Sequence, residues 1–188
     1  MRSGSDMRVR FLSKNEHKIA EASTILKSVG VDLVPVHLPI DELQSDDVRA
    51  IVRNKTLRAF HLLGHPVFVE QTCLFLKELN GFPGGLTQVF WDTLQKERVA
   101  RLFGGGLVTA KTQIGYCNGQ QVFHFEGAID GTIASEPRGD DHFQWDCVFI
   151  PDGHKQTFAE MGEKKNEISM RKRALDAFAA HLASSRHD

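Results

Sequence analysis

Cysteine is scarce in this chain: Cys73, Cys117 and Cys147 lie far apart and in no zinc-ligand spacing. Their odd number fits reduced thiols better than a disulfide framework. Net charge is nearly absent too, with 23 Lys and Arg against 24 Asp and Glu, the signs interspersed. That balance argues against bulk binding to a nucleic-acid polymer and leaves room for a local basic pocket. No apolar run is long enough for a membrane span and no signal-peptide pattern is visible, so a cytoplasmic protein is expected. Internal repeats and low-complexity linkers are missing. Residues 1–6, ahead of a second methionine at Met7, are expected to be a disordered tail or an expression remnant. Residues 7–188 then form one domain with ample apolar content for a core.

What is present is a hydrophobic pattern whose period changes along the chain. Val9–Leu12 is a first strand, and Asn15 is placed to cap a helix with Ile19, Ala22, Ile25, Leu26 and Val29 at helical spacing. Gly30 stops that helix, and Val31–Val36 gives a second strand. A polar connection over residues 39–47 leads to a helix from Val48 to Leu63, closed by Gly64 and Pro66. The apolar run Pro66–Val69 is a third strand that delivers Glu70 to its end, and a helix over residues 86–103 stops at Gly104-Gly105-Gly106. Strands over 107–117 and 120–126 flank Asn118-Gly119, a favoured two-residue hairpin turn. Residues 127–134 and 146–150 make two more strands. Residues 171–184 make a last helix, with Leu175, Phe178, Ala179 and Leu182 on one face. Alternation followed by a hairpin region predicts an α/β domain on a mixed sheet.

Several stretches carry chemistry. Ser13-Lys14-Asn15-Glu16-His17-Lys18 joins a strand to a helix, where free N–H groups and a lysine can cradle phosphate; lysine-bearing loops of this kind are also common without a ligand. Lys164 to Arg171 precedes another helix, with Ser169 as its cap, and reads equally as a solvated charge run. Phe143-Gln144-Trp145-Asp146 joins two aromatics to a carboxylate, as a base pocket or a core corner would. Glu42 could complete a magnesium site with Glu70, because magnesium takes one or two carboxylates plus phosphate oxygens. His61 and His65 are four apart, but Gly64 and Pro66 break the helix they would need. The three consecutive glycines lack dinucleotide-loop spacing and act as a helix stop.

In this order and over residues 9–182, these segments resemble the inosine triphosphate pyrophosphatase family. Ser13–Lys18 is similar to its Thr-Gly-Asn-x-x-Lys loop, and residues 69–74 to its Glu-Asp-Thr/Ser-Gly/Cys-Leu motif. Asn80–Gly84, residues 143–149 and residues 165–171 are similar to its Gly-x-Pro-Gly, Phe-Gly-Trp/Tyr-Asp-Pro-x-Phe and Lys-x-x-x-Ser-His-Arg motifs. Residues 130–134 and 136–139 match as well. The resemblance implies an elongated α/β fold whose two lobes flank a central nucleotide cleft, usually in a homodimer. It also implies magnesium-dependent cleavage of dITP, ITP or XTP, non-standard purine nucleoside triphosphates, into monophosphate and pyrophosphate. Carried over by position, Ser13, Asn15, Lys18 and Lys165 would contact phosphates, and Glu42 and Glu70 would serve the metal. Phe143, Trp145, Asp146, Met170 and Arg171 would hold and read the base.

Departures from the motifs are specific. Gln71 stands where the family has the aspartate that positions or deprotonates the attacking water, and an amide cannot take that proton. Met170 replaces a histidine that helps read the base; Gln144 and Lys14 replace glycines, and Cys147 a proline. Retained phosphate and base positions beside a lost general base predict a nucleotide-sensing protein with impaired hydrolysis. Such a sensor needs an effector, since binding signals only by biasing two states of a partner. Pyrophosphatase-like subunits of bacterial anti-phage defence, paired with an NAD-consuming effector, are the family-level analogy. The alternative is an active pyrophosphatase with altered base preference.

Overall fold

A computed structural model describes residues 7–140 and 144–185 and builds them around one open, mixed, seven-stranded sheet. The tail at residues 1–6 and Phe143 lie outside the described residues. The strands are β1 (Met7–Leu12), β2 (Val31–Val36), β3 (Val67–Leu76), β4 (Pro83–Gly84), β5 (Leu107–Cys117), β6 (Val122–Ile133) and β7 (Phe149–Pro151). The flanking helices are α1 (Glu16–Ser28), α2 (Val48–Leu63), α3 (Thr87–Phe103), α4 (Phe158–Met161) and α5 (Met170–Ser184). Spatial order is β2-β1-β3-β5-β6-β7, with β4 paired to β3. The first three are parallel; β5, β6 and β7 run antiparallel to their neighbours.

Both faces of the sheet are covered. On one, α1 and α5 bury Leu26, Ala174, Leu175 and Phe178 against Val9, Phe11 and Phe68, with Phe11 stacked on Phe68 at 4.3 Å. On the other, Val48, Val52 and Ala59 of α2 cover Val67, Val69 and Cys73. A third cluster joins Phe90, Trp91 and Val99 of α3 to Trp145, Phe149 and Phe158 beyond the far end of β3. Each fully buried Val, Leu or Phe side chain among these contributes about 1.5–3 kcal/mol.

The structure departs from the sequence-based expectation at several points. β3 continues through Glu70 to Leu76 instead of ending there. β6 is one strand of 12 residues and is not divided at Gly127. That glycine serves α5 instead: a Cβ there would lie 2.1 Å from Met170 O and 2.6 Å from Ala174 N. We expect Gly127→Ala to cost about 2–3 kcal/mol through overpacking, lowering Tm by roughly 4–10 °C in calorimetry. The hairpin tip is shifted by one residue: Asn118 N donates to Gln121 O, so Gly119-Gln120 is the two-residue turn. The strand expected over 146–150 is a 3₁₀ turn at Gln144–Cys147 followed by β7. Gln144 enters that turn at φ +42°, a left-handed backbone occupied where the resemblance places a glycine. Within α3, Gln95 breaks the helix at φ +61°.

Candidate active site

The cleft is a gap in strand pairing. β1 pairs with β3 only at Arg10↔Val67 and Phe11↔Phe68, and β4 rejoins β3 only at Leu74 and Phe75. Between these points one edge of β3 is open, and Glu70, Gln71 and Thr72 border a cleft of about 820 Å³. Glu70 is therefore mid-strand in β3, while the cleft lies beyond the carboxyl ends of β1 and β2, where open α/β sheets bind ligands.

Two helices open onto this cleft with their N-termini. Asn15 caps α1, its side chain accepting from Lys18 N at 3.1 Å, and Ser13 Oγ accepts from Asn15 N at 3.2 Å. Ser169 caps α5 by accepting from Lys172 N at 3.1 Å, which sets Met170 and Arg171 in its first turn. Ser13, Lys14, Asn15, Lys18, Lys165, Met170 and Arg171 all line the cleft. The positive helix ends and the basic side chains act in the same direction, favouring an anion between them.

Glu70 is the electrostatic centre. Its carboxylate accepts from Arg171 Nε at 3.1 and 3.0 Å and from Thr72 Oγ1 at 2.9 Å, and meets Lys18 Nζ at 3.1 Å. Thr72 in turn contacts the buried Thr112 hydroxyl at 2.8 Å. Burial alone would raise the pKa of Glu70, but the charges of Arg171 and Lys18 prevail and hold it at about 2. Arg171 Nη1 also reaches Glu21 at 3.2 Å. Burial, opposed by Arg171, raises the pKa of Glu21, and its second carboxylate oxygen is buried without a partner among the described residues. Arg171 titrates above its ordinary range: burial works against the charge, but Glu70 and Glu21 outweigh it.

Gln71 lies on the opposite pleat, with Val69 and Cys73 on the α2 side, and still reaches the cleft. Cys73 beside it is no nucleophile, since burial pushes its thiol to about 12. Trp145 and Asp146 are buried cleft residues; Trp145 meets Phe149 edge-on at 5.7 Å, and Asp146 is held by Lys165. Burial raises the pKa of Asp146 despite that lysine. Trp145 and Met170 thus belong both to the core and to the cleft wall. Gln144 Nε2 donates to Gln88 Oε1 at 2.6 Å, and both line the cleft.

Sequence reasoning did not single out Lys55, which projects from α2 into the cleft and pairs with Glu42. Its signal was faint: a lysine one residue before the buried Thr56 and three after the buried Val52. As for metal, no group of three His, Cys, Asp or Glu side chains is gathered among the described residues. Glu70 is ill-suited, because both its oxygens are engaged by Arg171. Glu42, 41% exposed with one lysine partner, can still offer an oxygen beside a polyphosphate.

No helix among the described residues is long and apolar enough to cross a membrane. A family model described as the Ham1 family matches residues 9–181. A dITP/XTP pyrophosphatase of Methanopyrus kandleri is 40% identical over 179 residues, covering 92% of this chain and 95% of that protein. Inosine triphosphate pyrophosphatase 2 of Trypanosoma cruzi is 39% identical over 189 residues, covering 97% and 95%. In fold, a HAM1 protein from Coxiella burnetii matches with a TM-score of 0.83 at 23% identity, over 95% of this chain and 99% of that one. Sequence and fold agree over nearly all of the described residues, and the chain belongs to the Ham1 family.

Proposed function

We propose that this chain binds dITP, ITP or XTP in the β3 cleft and cleaves them to monophosphate and pyrophosphate, the reaction its relatives are named for. The observation that carries this reading is the convergence of Lys18, Lys55, Lys165 and Arg171 with two helix N-termini on one cleft. In this reading Ser13, Asn15, Lys18 and Lys165 take the phosphates, while Trp145, Asp146, Met170 and Arg171, together with Phe143, take the base. Lys165 is shared with Asp146 and Lys18 with Glu70, so the triphosphate enters by competing with carboxylates for these amines. Glu70 acts by positioning: it fixes Lys18 and Arg171 relative to each other. Magnesium held by Glu42 and the phosphate oxygens would supply neutralisation of the triphosphate charge. The working protein is a cytoplasmic homodimer in this reading.

One observation favours a second reading. Gln71 places an amide where the motif has its general base, and general-base assistance contributes about 10²–10⁴-fold. Binding with crippled hydrolysis is what a nucleotide-sensing subunit requires, with an effector such as the NAD-consuming partners of anti-phage systems. The two readings separate in one assay, dITP with magnesium and the purified chain. Multiple turnover of pyrophosphate at about 1–10³ s⁻¹ supports the enzyme, and tight binding with negligible release supports the sensor. Absence of dITP binding defeats both. Lys18→Ala should weaken dITP binding by roughly 10–100-fold in calorimetric titration, since charge-assisted bonds contribute about 1.5–3 kcal/mol.

A further inference from the structure

The sheet has a second gap in its pairing, away from the cleft. β6 pairs with β5 from Val122 to Thr132, but on its other side β7 covers only Gly131–Ile133. In an antiparallel pair, alternate residues turn their backbone N–H and C=O away from the partner strand. Two bonds identify the outward set in β6. Asp130 O accepts from Asp152 N at 2.9 Å, and Ala128 O accepts from Arg173 Nη1 at 2.6 Å. Counting back by twos, Val122, His124 and Glu126 also face outward, and no strand of the described residues pairs with them on that side.

Such an edge is normally blunted. The opposite margin of the sheet is: β2 carries Pro35, which offers no N–H, and Asp32. β6 has no proline between Val122 and Ala128. Its two flanks differ in chemistry. Toward α5, the half-buried Phe123 and Phe125 pack on His181, with ring centroids at 4.3 and 5.2 Å. Toward α2, which packs against β6, the charges of Arg49 and Arg53 act on His124; the two are one helical turn apart, exposed, and engaged by no acid among the described residues. Burial first, and then these two guanidinium groups, lower the pKa of His124. Its Nδ1 is buried without a partner among the described residues.

We infer that the open edge of β6, from Val122 to Glu126, receives an extended segment of a partner protein by strand addition. That segment is acidic on the side facing Arg49 and Arg53 and apolar on the side facing Phe123 and Phe125. Main-chain bonds supply affinity and the alternating side chains supply selection, as in other strand-addition complexes. A second copy of this chain fits poorly. Two-fold pairing centred on His124 would bring two Arg49–Arg53 pairs together, and like charges across paired strands repel.

The probe is an acetylated, amidated heptapeptide of alternating glutamate and valine, titrated into the nitrogen-15-labelled full chain. Amide shifts should concentrate at Val122, His124 and Glu126. A lysine–valine peptide, and a glutamate–valine peptide N-methylated at every second residue, should each bind at least tenfold more weakly. Arg49→Glu combined with Arg53→Glu should reverse the charge preference. Shifts located elsewhere, no shifts up to the solubility limit of the peptide, or indifference to charge and N-methylation would overturn the proposal. So would concentration-dependent shifts of the same amides without peptide, which would assign the edge to a second copy.

Discussion

Replacing Arg171 by methionine should lower the unfolding free energy by about 3–5 kcal/mol, the usual consequence of leaving a buried carboxylate without its partner. Glu70 has a side chain only 1% exposed, and its two oxygens are satisfied chiefly by the Arg171 guanidinium. Glu21 loses its cation in the same step. For a domain whose total stability is about 5–15 kcal/mol, that is a large fraction, and chemical denaturation measures it directly. The double variant Glu70→Gln with Arg171→Met should recover much of the loss, because a neutral pair removes the stranded charge. A loss below about 1 kcal/mol in the single variant would mean that Lys18 alone suffices for Glu70.

The same carboxylate sets a pH dependence. Its folded pKa lies at about 2, below its ordinary 4.5. Its contribution is therefore complete above pH 4.5 and is lost as pH falls toward 2. At 1.36 kcal/mol per pH unit this amounts to about 3 kcal/mol. Glu21 and Asp146 act in the opposite sense. Burial raises both, so their protonation at low pH favours the fold and offsets part of the loss. Denaturation series in wild type and Glu70→Gln separate the terms, since the variant should lack the steep acid limb.

The contrast between Asn15 and Glu70 explains how much of this was legible in the sequence. Asn15 and Ser169 cap their helices through bonds spanning three residues, so a local reading finds them. The bounds of α2 follow from Asp47 and from Gly64 in its left-handed conformation. Glu70 instead depends on Lys18, 52 residues before it, and Arg171, 101 residues after it. Reading only the apolar run ends β3 at the acid. Gly127 misleads for the same reason, because the element that needs its missing Cβ is α5, more than 40 residues away. Ser13, Asn15, Lys18, Glu70, Gln71, Trp145, Asp146, Lys165, Met170 and Arg171 were visible by pattern and line one cleft. Lys55 was not, since nothing around it in the sequence distinguishes it from other solvated helix lysines.

Gln71→Asp is the substitution with the largest expected effect on chemistry, a rise in pyrophosphate release of about 10²–10⁴-fold from restored general-base assistance. The position favours this outcome. Gln71 occupies the pleat facing α2, so a carboxylate there stands apart from the Arg171 and Lys18 contacts that engage Glu70. Of the acids already in the cleft, Glu70 is saturated, Asp146 and Glu42 are bound to lysines, and Asp41 is fully exposed beside Arg58 at 4.0 Å. The added negative charge also opposes the triphosphate, so KM should rise while kcat rises more. Gln71→Asn separates geometry from charge, since it shortens the side chain equally and leaves hydrolysis at the wild-type level. Single-turnover release of pyrophosphate from dITP with magnesium checks all three proteins. If Gln71→Asp stays at wild-type rate and wild type turns over rapidly, the amide is not limiting and the cleft draws its base from elsewhere. If both are inactive yet bind dITP, Met170 and Gln144 have altered the pose of the nucleotide, and the defect lies in orientation, where misplacement by about 1 Å costs 10²-fold.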